Sequence, residues 1–532
     1  MNMTKTPTAR EKRAENREAL EIFGLDKLRE KLPLVFACDP ELPPSPKPQY
    51  RSDYQYLGFD DLNEKTLDIF STFEIGVRLF DYGSLEPFLA HHIYKDSAKG
   101  QVPFHPVSMY LLNLYRRTTD LSRHEVLRVL RHPADGQTLR RCTGFVDDFP
   151  GESGLRYFEG QLTPEVQMEI NALQVDALYQ AGLLPIKPQA DDDTQVALSF
   201  DGMLHEARSR LHCSSVKETC YEPAPRSCPA RAKKKRGCDC TDDECADVCR
   251  HATPRDPEAR FVVYSGNNKR AKTSPNTPLD TSMQRSRVSR MVFGYYSYAG
   301  QIVVDELATY WNLPAAFGAA TCGDPALFPG NFAYLRDRFD WLDIGEVLAD
   351  AGACEQTCLD AIWEAEALRM VDICAHQSDA DPKARLLRGY DENGHPLCPH
   401  GYVMHSNGYD YDRRQAKWRC SKRCLRDSEH SVPVCPFLDP DRKHGYTTTV
   451  GRTHADDTVR LAREIPYGSP AWKERYGRRN CAESRNSILE LLGLKRMPVH
   501  GFDDCHVVVL LADLVANQNT LIRLVREATA LE

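Results

Sequence analysis

The stretch VALSFDGMLHEA, Val196 to Ala207, decides how this chain is read. Val196, Ala197, Leu198 and Phe200 make a short apolar run with the composition of a buried strand. The run meets Asp201, and Gly202 follows. Glycine reaches backbone conformations closed to other residues, so the chain is expected to leave the strand there. Asp201 would then stand at the strand's C-terminal end, held by a rigid sheet. Asp-Gly is also a common turn dipeptide, and that plainer reading needs no chemistry. The surrounding sequence has to choose.

Outward from this strand the pattern is α/β. ARFVVYSG (259–266), MVFGYYSYAGQIVVDEL (291–307) and WLDIGEVLADAG (341–352) are strand-rich. CLDAIWEAEALRM (358–370) reads as a helix, and the apolar stretch MVDICAH (370–376) follows it. Towards the N-terminus the period changes. HPVSMYLLNLYRRTTDLSRHEVLRVLRH (105–132) places apolar residues three and four apart with charges between them. LTPEVQMEINALQVDALYQAGLL (162–184) opens with a Thr163 cap and Pro164. Residues 1–50 are a charged arm and a proline-rich linker, DPELPPSPKPQY (39–50). The division expected is an arm at 1–50, an all-helical domain at 51–190 and an α/β domain at 191–532. Two polar, cysteine-rich insertions, 208–258 and 378–450, interrupt the last. The tail from Trp472 returns to helix.

The 532 residues are enough for several domains. A net charge of −8 argues against a wholly basic nucleic-acid binder but leaves room for local basic surfaces. One such surface is Lys269, Arg270, Lys272, Arg285, Arg287 and Arg290, with Asp280 as the lone acid. Another is RYGRRN (475–480) with Arg485. Solvated faces are the plain alternative for both. No apolar run reads as long enough to span a membrane. The longest, HVVVLLADLVA (506–516), is broken by NQN and reads as a buried helix. The N-terminus has charges and no apolar signal region, so a cytoplasmic protein is expected.

In a reducing compartment most of the 19 cysteines should be thiols or metal ligands. Cys238, Cys240, Cys245 and Cys249 are tightly spaced, with Cys213, Cys220, Cys228 and His251 nearby. Cys398, Cys420, Cys424 and Cys435, with His400 beside the first, could close a tetrahedral site. Structural Zn²⁺ would stabilise blocks so poor in core residues; surface thiols are the alternative. Cys354, Cys358 and Cys374 read as packed thiols.

Three carboxylates stand apart. Asp350 repeats the setting of Asp201, following IGEVLA and preceding Ala351-Gly352. Glu483 lies on a helix predicted over 474–496, sharing a face with Arg479 and Ser487, while Ile488, Leu491 and Leu492 face the core. An i,i+4 pair with Arg479 is the plain reading of Glu483. Two strand-end aspartates and a helical glutamate can also form an all-oxygen site for two Mg²⁺ or Mn²⁺ ions acting on a phosphodiester.

At these residues the chain resembles the DDE transposases of bacterial insertion sequences. SFDG around Asp201, LADAG around Asp350 and RYGRRNCAESRNSILELLGLK around Glu483 carry the resemblance. Tyr476, Arg479 and Glu483 match the family's Tyr-x2-Arg-x3-Glu spacing. The family's lysine departs: Glu490 stands at its place, and the nearest lysine is Lys495. The resemblance implies an RNase H-like mixed sheet with flanking helices. It also implies a helical N-terminal region that binds DNA. Asp201, Asp350 and Glu483 would ligate Mg²⁺, with DNA contacts at Tyr476, Arg479 and Lys495. The partners would be double-stranded DNA, as terminal inverted repeats and as target, bound by at least a dimer at the nucleoid. The competing readings are a nuclease that cuts without joining and a decayed or domesticated DNA-binding protein.

Overall fold

The computed structural model describes residues 25–42, 49–94, 101–186, 195–209, 256–267, 287–305, 307–372 and 470–529, with short pieces between 389 and 465. Its organising element is a seven-stranded mixed sheet. β1 (Val196–Glu206) lies at the centre. Beyond it come β2 (Arg260–Asn267), β3 (Arg287–Val304), β4 (Thr309–Asn312), β5 (Ala316–Ala319), β6 (Ile344–Ala349) and β7 (Leu368–Val371). β3 is the long antiparallel neighbour of β1, from Leu198↔Ile302 to Glu206↔Gly294. Along its other edge β3 carries β2, β5 and β4 in turn, all antiparallel. On the far side of β1, β6 and then β7 run parallel.

β1 is apolar because both its faces are covered. Val196, Leu198 and Phe200 enter the main core, while Ala197 joins Leu348, Met370 and Trp472 on the opposite face. Side chains alternate along a strand, so Asp201 shares the second face with Ala197 and Ser199.

Among the described residues the helical part contributes eight α-helices: α1 (Glu64–Ile69), α2 (Thr72–Leu79), α3 (Glu86–Ile93), α4 (Pro106–Thr118), α5 (Arg123–Arg131), α6 (Gln137–Thr143), α7 (Glu152–Gln161) and α8 (Pro164–Gln180). Thr163 caps α8 as expected, accepting from Val166 N. Within the α/β part, α9 (Gly323–Arg338) and α10 (Gln356–Glu364) follow β5 and β6. Cys354 and Cys358 are fully buried, as packed thiols should be.

Near the C-terminus, α11 (Pro470–Gly477), α12 (Asn480–Leu491) and α13 (Phe502–Thr529) complete the fold. Two expectations change here. The helix predicted over 474–496 is two helices, broken at Arg478 and Arg479. The helix predicted to stop at NQN runs on through it, because the core supplies partners for Asn517 and Gln518. Asn517 donates to Gln174 Oε1 and to the Asn312 carbonyl, and accepts from Asn312 N. By length and composition α13 could therefore cross a membrane, contrary to the sequence reading, but 83% of its most apolar window is buried inside the protein. One hydrophobic core runs from Leu28 through β1 to Val525, joining the helical part to the sheet.

Of the cysteine-rich insertions, residues 210–255 lie outside the described residues. The second shows a hairpin, Gly389–Tyr390 with Pro396–Leu397, and a three-stranded antiparallel sheet of His405–Asp410, Gln415–Arg419 and Thr447–Val450.

Candidate active site

Asp201 is not at the end of its strand. β1 continues through Gly202 to Glu206, paired with β3 all the way. It is β6 that stops, at Ala349. The parallel register pairs Ser199 with Leu348, so two residues further along stand Asp201 and Asp350 as neighbours. Asp350 caps a 3₁₀ turn over Ala351–Ala353, and its Oδ1 accepts from Gly352 N at 2.7 Å.

Gly202 is needed for space rather than for a turn. A Cβ there would lie 1.8 Å from Tyr296 Oη. Gly352 does the same in the turn after β6, where a Cβ would lie 2.1 Å from Asp324 Oδ2. The two intruders are bonded to each other: Tyr296 Oη donates to Asp324 Oδ1 at 2.5 Å. Each aspartate is thus followed by a glycine that admits one half of a Tyr296–Asp324 pair. Asp324 was missed from the sequence, where GDP reads only as a helix start. Burial lifts its carboxyl to about 7, with Tyr296 opposing and Asp350 and Asp201 adding to the rise.

α12 covers this end of the sheet. Asn486 Nδ2 donates to Asp201 Oδ2 at 2.9 Å and to the Gly202 carbonyl at 3.2 Å. Its spacing of three from Glu483 was the one available signal for it. Glu483 is exposed and pairs with Arg479 at 2.9 Å, the plain i,i+4 contact. Arg479 also reaches inward, its Nη1 3.9 Å from Asp201 Oδ2. That Nη1 is buried and has no hydrogen-bond partner among the described residues. Burial raises the Asp201 carboxyl to about 6, Arg479 pulls it down, and Asp350 and Glu483 push it up. Asp201, Asp350, Glu483, Asp324 and Arg479 therefore share one electrostatic environment.

The remaining predicted residues divide. Tyr476 stacks on Trp472 at 4.3 Å, with the Arg479 guanidinium 6.0 Å from its ring. Lys495 is exposed and bound to Glu490 at 2.7 Å, the residue standing in the family's lysine position. The expected basic surface at 475–485 is consumed internally. Arg475 and Arg478 pair with Glu346, Arg478 also with Asp305, and Arg485 is buried against Asp513. Leu491, expected in the core, is 87% exposed, and Leu489 takes its place. The other basic group, from Lys269, lies largely outside the described residues, with only the backbone of Arg287 and Arg290 placed.

The donor set fits a hard divalent cation: it is all oxygen, and its crowded carboxylates resist ionisation without added positive charge. Among the described residues, however, no group of three or more His, Cys, Asp or Glu side chains is drawn together as a metal cage. Arg479 occupies that role, spanning Asp201 and Glu483. For the zinc sites, Cys398 and Cys420 are buried, and Lys422 N donates to Cys420 Sγ at 3.4 Å. Cys424, Cys435 and the whole set Cys238, Cys240, Cys245 and Cys249 lie outside the described residues.

No known protein family, curated protein or solved structure matches this chain.

Proposed function

We propose that this chain is a DNA transposase of the DDE type, cutting and joining DNA at the terminal inverted repeats of an insertion sequence. The observation that carries the reading is the parallel register that sets Asp201 beside Asp350, with Glu483 on α12 and Arg479 at its start above them. The strand order supports it too. A strand with antiparallel strands on one side and two parallel strands on the other is what an RNase H-like sheet would require.

In this reading Asp201, Asp350 and Glu483 would hold Mg²⁺ or Mn²⁺, which when bound activates an attacking oxygen and stabilises the leaving one. The chain's own groups prepare that site. Asn486 fixes Asp201 by its Oδ2. Asp324, held by Tyr296, keeps a proton up to about pH 7 and so adds no charge beside Asp350 below that pH. Arg479 neutralises the cluster until DNA arrives, then turns its unpartnered Nη1 to a backbone phosphate. The helical part and the cysteine-rich insertions hold double-stranded DNA, and joining two ends requires at least a dimer.

The test is incubation of the full chain with its flanking DNA and Mg²⁺, beside Asp201→Asn, on a denaturing gel. Cleavage at the element's ends that the variant loses supports the enzyme, and joined products make it a transposase. Cleavage without joining makes it a nuclease. The Arg479–Glu483 ion pair favours one other reading, a DNA-binding protein whose carboxylates are neutralised for good. Binding without cleavage, in Mn²⁺ as well, would select it.

A further inference from the structure

A second charged site lies at the seam between the helical part and the sheet. A cavity of about 510 Å³ is lined there by Arg116, Arg117, Arg123 and Arg208. The first three come from α4 and α5, and Arg208 follows the end of β1 by two residues. Measured along an extended strand, Arg208 is roughly 20 Å from Asp201, so this is a separate site.

The guanidinium groups at the seam are incompletely paired. Glu159 is shared by Arg116 and Arg123, one carboxylate for two guanidinium groups. Arg208 donates only to the Pro498 carbonyl among the described residues. Arg117 has no hydrogen-bond or ion-pair partner among the described residues, and its Nε is buried. Arg116 is 6% exposed, and its Nε is buried without a partner too. The acids on the wall are largely engaged elsewhere. Glu125 closes the capping box of α5 with Ser122, and Glu152 pairs with His124 at 3.2 Å. Asp120 is the remaining wall carboxylate, and Asp504 lies within electrostatic range of Arg117. Burial, with Arg116 and Arg123 close by, lowers Arg117 to about 10. Glu159 and Asp504 attract Arg117 without bonding it, and a half-buried guanidinium with unmade hydrogen bonds is costly unless an anion joins it. The start of α5 at Ser122 opens on the same cavity, and its dipole favours the same sign of ligand.

We propose that this cavity seats a backbone phosphate of the bound DNA, clamped between α4–α5 and the end of β1. The proposal rests on the DNA reading above. It gives the helical part a physical link to the strand that carries Asp201: the same phosphate is held by Arg117 on one side and Arg208 on the other.

Duplex DNA carrying the element's end is titrated into the full chain over a range of salt concentrations, with Arg117→Gln, Arg117→Lys and Arg208→Gln beside it. Thermal melts check that each variant folds, and exposed Arg208 guards against a folding defect at Arg117. Each Gln variant should bind about tenfold more weakly and lower the slope of log K against log salt by about one. Arg117→Lys should keep most of the slope, because it keeps the charge. Unchanged affinity and slope in both folded Gln variants would overturn the proposal. If the parent chain binds no duplex at all, the DNA reading fails first. Titration with pyrophosphate then decides the cavity: Arg117-dependent binding retains an anion site without DNA, and no binding ends that as well.

Discussion

Two arginines, Arg479 just before α12 and Arg485 within it, each face an aspartate, and the two pairs behave oppositely. Arg485 meets Asp513 of α13 with two parallel bonds, 2.7 and 2.8 Å long, and both side chains are at most 2% exposed. Arg479 stands 3.9 Å from Asp201, and both are partly open to solvent. The first pair is closed and satisfied. In the second, one guanidinium serves two acids, and a buried Nη1 is left without a partner. A pair that only holds the fold together can saturate its hydrogen bonds. A pair that must exchange partners with a ligand keeps some unmade.

That contrast can be broken first at the chemistry. Asp201→Asn should reduce DNA cleavage by at least about 100-fold, since losing a ligand exceeds the cost of disturbing its supports. The same variant should melt no lower than the parent, because it removes a carboxylate that its neighbours resist. A large fall in melting temperature would make Asp201 a structural residue like Asp513.

Next is the closed pair. Arg485→Met leaves Asp513 buried without its counter-charge and should cost about 3–5 kcal/mol in denaturant unfolding. A loss below about 1 kcal/mol would mean that α12 and α13 are not locked by this contact.

The pH response follows. Asp201 and Asp324 titrate at about 6 and about 7 in the folded chain, above the ordinary carboxylate value. The folded state therefore binds more protons than the unfolded one between about pH 4 and pH 7. Their contribution is present below that window and is lost as pH rises through it. A chelator-treated sample should melt higher at pH 5.5 than at pH 8, Mg²⁺ should recover the difference at pH 8, and Asp324→Asn should flatten the profile. A melting point that rises steadily with pH, in both parent and variant, would break the account.

The smallest effect belongs to the exposed pair of Lys495 and Glu490. Lys495→Ala should change stability by less than about 0.5 kcal/mol. If Lys495 serves DNA as the family's lysine does, the salt slope of binding should still fall by about one.

Much of this was legible because it is local. The apolar run at Val196, the three- and four-residue period of α4 and α5, the cap at Thr163 and the i,i+4 spacing of Arg479 and Glu483 need only near neighbours. The two reading errors at Asp201 and Asn517 have one cause. Local propensity makes Gly202 and NQN breaks, and each instead meets a partner far along the chain that the sequence does not announce. Gly202 makes room for Tyr296, and Asn517 finds Asn312 and Gln174.

By itself the sequence determined the kinds of element, their order and three acids worth watching. Tertiary structure alone decided that β6 would stop beside Asp201, that Asp324 would enter from α9, and that Arg485 would vanish into the core while Arg479 stayed near the carboxylates. The physical reason is that register and burial are set by contacts between elements far apart along the chain, and these outweigh the few tenths of a kcal/mol that local preference supplies.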